Sequence, residues 1–444
     1  MRNNDQADST WANLLKLLPL LLLYVLFGVF NNKSDLRGDE SRYLVYAHNI
    51  LNGYFASPES LMFWNGPGYP LYLAPFVAWK VPLLIPRLGN ALFLYFGIAY
   101  FRATLGHFGI GKRALVYAYL MGILLLLHGP LIDLIMSESL SAFLVCGAAY
   151  HYFRLVRRDG RSGLHFVAAG IYLGYLVWTK VFFGYAVEIS LLGALVIWIW
   201  SKWRSHQLKQ MEGNVKGGAA SGSAVAVCAL ALVVCIPYLA YTKSVTGKTH
   251  FWGNSGGLQL YCLTVPEKEL VGDWLNFDTV RDHPDFFKDE AAFFWEMSRL
   301  DYISRDADFR KAAIRNLKAN PLKCFWNWRA NVNRMVFGFP VSPYPGSDKE
   351  LTTGNRTFAY AFPFLVFLFA LMPGLIGYRA IPAEAHAALV FALISLGGLT
   401  LLSCIPRQAF PLLPLLGLWT VLVAEKALRW EGRWRQSGLP QVKP

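Results

Sequence analysis

The run "WANLLKLLPLLLLYVLFGVF" (11–30) carries a single charged side chain in twenty residues. About 20 apolar residues span a bilayer core, where a chain's backbone groups must be satisfied within a helix or a closed barrel. Similar runs recur, among them the apolar stretch ending in "FALISLGGLTLL" (386–402) and "PLLPLLGLWTVLVA" (411–424). Only 16% of the 444 residues are charged, against about 25% in an ordinary soluble chain. The expected fold class is therefore an all-α polytopic membrane protein with about ten transmembrane helices. They are placed at 12–30, 84–101, 113–128, 137–153, 164–178, 184–200, 223–242, 357–376, 386–403 and 410–425. The first run is read as a retained span, because "NNKSDLRGDE" follows it where a signal peptide would show a small-residue cleavage site.

The net charge of +14 raises the question of nucleic acid, and its distribution answers it. With the N-terminus inside, Arg154, Arg157, Arg158, Arg161, Lys202, Arg204 and the tail residues Arg429, Arg433 and Arg435 fall on one side. The short segments on the other side hold Lys33, Arg37, Arg42, Lys180 and Arg407. That asymmetry is the positive-inside rule, so both termini are expected in the cytoplasm of a cell (inner) membrane protein, with no nucleic-acid partner. Four of the six cysteines lie in or beside apolar runs, where a thiol packs as a small hydrophobe; Cys262 and Cys324 share the one large polar segment. No cysteine or histidine spacing suggests a metal, and no cofactor is expected.

Three regions follow. Residues 1–242 form an N-terminal transmembrane module whose first outer loop is 31–83. Residues 243–356 form an extracytoplasmic segment, nearly balanced in charge, and 357–444 hold the last spans and a basic tail. Within the loop, "GYPLYLAPFVAWKVPL" (68–83) is apolar but broken by Pro70, Pro75 and Pro82, and is read as interfacial or re-entrant. The outer segment is expected to be mixed and mainly helical, with Pro321 as a helix stop and "FWNWRANVNRMVF" lying on the bilayer interface.

The chemistry is sought at "GDESRYLVYAHNILNGYF" (38–55). Tyr43, Ala47, Ile50 and Tyr54 recur at helical spacing, and Gly53 offers a stop. Asp39 at the start of that helix could simply cap it. A cap needs one carboxylate, however, and here Asp39 and Glu40 are adjacent, with Arg42 close behind. On the same outer side, "HGPLIDLIMSES" places His128, Asp133 and Glu138 at the ends of two spans. Lys180 lies between two apolar runs, and Arg407 lies in a turn held by Pro406 and Pro411. Ionisable residues at membrane depth are costly and are read as functional by default, although each cation could also snorkel to headgroups.

These stretches together resemble the C-type membrane glycosyltransferases that use polyprenyl-phosphate sugars, in particular the protein O-mannosyltransferase and lipid A aminoarabinose transferase group. "GDESRYLVYAHNILNG" looks like the family's acidic first-loop motif and "NGPGYPLYLAPF" like its proline-rich stretch. "SESLSAFLV", the Thr179–Lys180 pair, "GNSGGLQLY", "NPLKCFWNW" and "PRQAFPLLPLL" resemble later landmarks. The resemblance implies an inverting transfer of a hexosyl or pentosyl group from a polyprenyl-phosphate donor on the extracytoplasmic face. The acceptor would be a hydroxyl of a protein, glycolipid or polysaccharide, and membrane lipids would surround the protein. It casts Asp39 as general base with Glu40 in support, Arg42, Lys180 and Arg407 as ligands of the donor phosphate, and Asp133 and Glu138 as positioners of sugar or acceptor. The sequence departs from the pattern at "WNGPGYP", where Asn65 and Gly66 stand in place of the family's cation before paired prolines. The alternative is a multipass transporter or lipid flippase, against which stands the lack of an internal repeat.

Overall fold

A computed structural model of the chain describes residues 14–33, 35–128, 131–158, 161–209, 219–343 and 357–436. The described residues are helical or irregular, with no strand among them. Helices occur at each of the ten expected positions, but six are both long and apolar enough to cross a membrane. These are Leu84–His107, Phe182–Arg204, Ala220–Thr246, Thr357–Ile376, Ala383–Thr400 and Pro406–Leu428. Leu18–Phe30 and Arg113–His128 are apolar but shorter. Glu138–Val156 and Ser162–Thr179 are not among the six. Their buried faces use Ser139, Ser141, Gly147 and His165 where a lipid-facing helix would use leucine.

Small residues set the closest helix contacts. Glu138–Val156 packs against Leu84–His107 and Ser162–Thr179, and the last of these packs against Ala219–Thr246. A Cβ on Gly170 would lie 2.5 Å from Leu230, and one on Gly174 would lie 2.7 Å from Val234. Between lipid-embedded helices, such close approach supplies the packing energy that water cannot.

The first loop folds into two short helices, Glu40–Leu51 and Gly68–Ala78, packed on each other. Tyr43 and Ala47 are buried on the expected face, while Tyr54 falls beyond the helix end. At 11 residues, Gly68–Ala78 is about 16 Å long, too short to cross a core of about 30 Å.

In the segment 243–356, Gly256–Thr264 packs against Tyr302–Ala319 around a separate core of Tyr261, Phe294 and Phe309. Pro321 follows the end of one helix, as expected, and also opens the next, Pro321–Phe337, where a missing N–H costs nothing. The inward face of that helix is polar: Asn327, Asn331 and Arg334 are buried, while Leu322, Phe325 and Trp326 face outward. All six cysteines are buried free thiols.

Candidate active site

Asp39 precedes the first-loop helix, yet its side chain caps nothing. Its two oxygens are taken by arginines. Arg42 Nη2 lies 2.7 Å from Oδ1, and Arg407 Nη2 donates to Oδ2 at 2.7 Å. Arg407 reaches it from a 3₁₀ turn, Pro406–Gln408, whose Pro406 carbonyl lies 3.1 Å from Nε2 of the buried His128. The Asp39 side chain retains 26% exposure and that of Arg407 30%, so a ligand can reach both. Burial acts to raise the Asp39 pKa. The charges of Arg407 and Arg42, with a further contribution from Lys180, outweigh it and hold the carboxyl below its ordinary range.

Lys180 terminates Ser162–Thr179, where the negative end of the helix dipole favours a cation. Its Nζ donates to Glu138 Oε1 at 3.1 Å. Glu138, at the N-terminus of its own helix, is 3% exposed and also lies 3.9 Å from Arg407 Nε. Its Oε2 is buried without a hydrogen-bond partner. The sequence thus brings Lys180, Glu138, Arg407, Asp39 and Arg42 into one chain of alternating charge.

The other two expected residues are placed differently. Glu40 is completely buried. Arg87 Nε and Nη2 donate to its Oε1 at 3.1 and 3.0 Å, and the Ile135 N–H adds a third contact at 2.6 Å. Its Oε2 accepts the Arg37 N–H at 2.7 Å. A carboxylate so occupied fastens the loop. Asp133 is also buried and is held by Arg37 Nη2 at 2.8 Å.

Sequence reasoning missed three participants. Arg87 was hidden in a run counted as apolar, although an arginine amid "LLIPRLGNALFLYF" signals a buried partner. Asn65 joins the site: it accepts from Arg42 Nε at 2.7 Å and donates to the Tyr43 hydroxyl at 3.1 Å. Trp64 lies under the Arg42 guanidinium, 5.1 Å from its ring centre. The glycine that follows Asn65 is required by packing. A Cβ at Gly66 would lie 1.9 Å from the Trp178 carbonyl oxygen, so the loop passes too close to the end of the Lys180 helix for any side chain.

An apolar groove of about 400 Å³ is lined by Leu71, Tyr72, Phe93, Leu140, Phe143 and Tyr175, with none of the charged chain in its lining. A larger apolar cavity of about 630 Å³ reaches Tyr152, Val156 and Ser201, toward the opposite ends of these helices, and contains none of the charged chain.

No protein-family model and no curated protein matches the sequence. Among solved structures, the archaeal oligosaccharyltransferase AglB from Archaeoglobus fulgidus, in complex with an inhibitory peptide and a dolichol-phosphate, is similar at a TM-score of 0.51. The two are 13% identical, over 96% of this chain and 52% of that one. The apo form of the Archaeoglobus fulgidus oligosaccharyltransferase gives a TM-score of 0.51 and 12% identity, over 98% and 52%. ArnT from Cupriavidus metallidurans, bound to undecaprenyl phosphate, gives a TM-score of 0.38 and 15% identity, over 99% and 82%, a likeness too slight to support an argument. The chain spans about half the length of the oligosaccharyltransferase it matches. What is shared with the oligosaccharyltransferase is the fold.

Proposed function

We propose that this protein is an inverting glycosyltransferase that moves a sugar from a polyprenyl-phosphate donor to an acceptor hydroxyl, on the extracytoplasmic face of the cell membrane. The observation that carries the reading is the meeting of Asp39, Arg42, Lys180 and Arg407 in one accessible cluster. The dolichol-phosphate and inhibitory peptide in the complex of the similar oligosaccharyltransferase lend support to a lipid-linked donor here.

In this mechanism the apolar groove takes the first prenyl units, and Arg42, Lys180 and Arg407 receive the phosphate. The Asp39 carboxylate takes the proton of the acceptor hydroxyl as its oxygen bonds to the anomeric carbon. The bond from that carbon to the phosphate oxygen breaks, and its electron pair leaves with the polyprenyl phosphate. The fixed cations offset the charge that develops there, the kind of interaction that usually contributes most to transition-state stabilisation. An arginine-paired carboxylate is a weak base, so its contribution comes from position and from the moment at which its partners turn to the phosphate. Glu138 orients Lys180 and Arg407. Asp133 acts through Arg37, and Glu40 through the loop it fastens. The segment 243–356 borders the acceptor's path, and the basic ends stay in the cytoplasm.

Asp39→Asn in membranes should abolish sugar transfer while expression and donor binding persist. Full transfer by that variant would remove the base from the scheme. Transport of a lipid-linked sugar in proteoliposomes without any glycosyl transfer would replace the reading with a flippase.

A further inference from the structure

We propose that ionised Asp39 and the departing polyprenyl phosphate are mutually exclusive occupants of the Arg42–Arg407 pair, so that loss of the proton from Asp39 after transfer ejects the lipid phosphate and resets the site. This inference rests on the reading of these arginines as phosphate ligands given above, and it adds how the product is released.

The geometry sets up the competition. Both Asp39 oxygens are engaged, one by each arginine at 2.7 Å, and the guanidinium groups that hold them are the accessible cations of the cluster. A monoanionic diester can bind at the guanidinium N–H groups that Asp39 leaves free, whereas a phosphate dianion forms charge-assisted bonds strong enough to take over those that Asp39 now uses.

The charges also fit. Three cations, Arg42, Lys180 and Arg407, face two carboxylates, Asp39 and Glu138, which leaves one positive charge. The surrounding pairs, Arg87 with Glu40 and Arg37 with Asp133, are each neutral, and Tyr43 is an uncharged neighbour. A glycosyl phosphodiester brings one negative charge and neutralises the cluster while Asp39 is ionised. Transfer turns the diester into a phosphate monoester, which carries a second negative charge near neutral pH. The cluster remains neutral only because Asp39 has meanwhile gained the acceptor's proton. When that proton passes to water, the site holds one negative charge too many, and the anion that can leave is the lipid phosphate.

The test uses the full chain in detergent at pH 7.5, titrated calorimetrically in two buffers of different ionisation heat. The probes are farnesyl phosphate and the monoanionic diester farnesyl methyl phosphate. Binding of farnesyl phosphate should take up about one proton per site, the stoichiometry of a single carboxylate, and the diester should take up none. Asp39→Asn should bind farnesyl phosphate at least about tenfold more tightly, between one close charge contact in bulk water and one near a protein surface, without proton uptake. Unchanged or weaker binding by Asp39→Asn overturns the competition, as does binding to the unaltered protein without proton uptake. Failure of the unaltered protein to bind either probe overturns the phosphate site itself, and the competition with it.

Discussion

Arg407 and Asp39 are 368 positions apart in the chain, and Nη2 of the one lies 2.7 Å from Oδ2 of the other. The same guanidinium has its Nε 3.9 Å from Glu138, so a single side chain links the first loop to the start of a buried helix. A lysine could supply the charge but not the two-sided reach, because an ammonium is a point donor while guanidinium is a planar fork. Arg407→Lys is therefore expected to lower kcat/KM for the proposed glycosyl transfer by about 100-fold, in the range seen when one transition-state donor is lost. Transfer assays on membranes normalised for expression would measure this. Near-normal activity would mean that charge alone suffices at this position.

The Arg87–Glu40 pair is a structural element of the loop, and its loss should be read as instability. Both side chains are essentially inaccessible, and the carboxylate also receives the Ile135 and Arg37 N–H groups. Removing one partner strands a buried charge, at a cost of about 3–5 kcal/mol. Arg87→Met should thus lower the unfolding temperature sharply, and the double variant Arg87→Met with Glu40→Gln should recover part of the loss. Thermal unfolding in detergent would follow both. If the double variant were no more stable than the single one, the stranded charge would not be the cause.

How far the sequence foretold this site depends on the range of each interaction. The helices were visible because hydropathy is a local property, and the turn carrying Arg407 was marked by its own prolines. The burial of Glu40 was not visible, since it depends on Arg87, 47 positions away in a run that reads as apolar. Likewise, the helix Pro321–Phe337 reads as interfacial from its aromatics. That its asparagines turn inward became clear only where Asn331 Nδ2 donates to the Leu402 carbonyl at 2.6 Å.

Gly66 and Gly106 offer a matched contrast. A methyl group on Gly66 would collide with the Trp178 backbone carbonyl, and backbone cannot move aside as a side-chain tip can. Gly106 lies near the end of Leu84–His107 with nothing within 4 Å of a new Cβ. Gly66→Ala should destabilise by about 1–3 kcal/mol through overpacking and displace Lys180. Gly106→Ala should be neutral or stabilise by up to about 1 kcal/mol through helix propensity. Unfolding temperatures for the two variants should move apart; a shared shift would contradict the packing of the first loop on the Lys180 helix.

The segment 243–356 carries its own pH dependence. Glu290, buried at the start of Asp289–Ser298, has its pKa pushed up to about 8, first by burial and then by the neighbouring Glu267 carboxyl. A carboxyl whose folded pKa exceeds its unfolded value of about 4.3 binds more protons when folded. Stability then falls as pH rises through the interval between the two values and levels off above the higher one. This is opposite in sign to Asp39, whose lowered pKa makes its contribution complete at neutral pH and lost only in acid. Unfolding temperatures measured from pH 5 to pH 9 should decline, and Glu290→Gln, which keeps the shape without the ionisation, should flatten the decline. A variant that kept the full slope would place the responsible proton elsewhere.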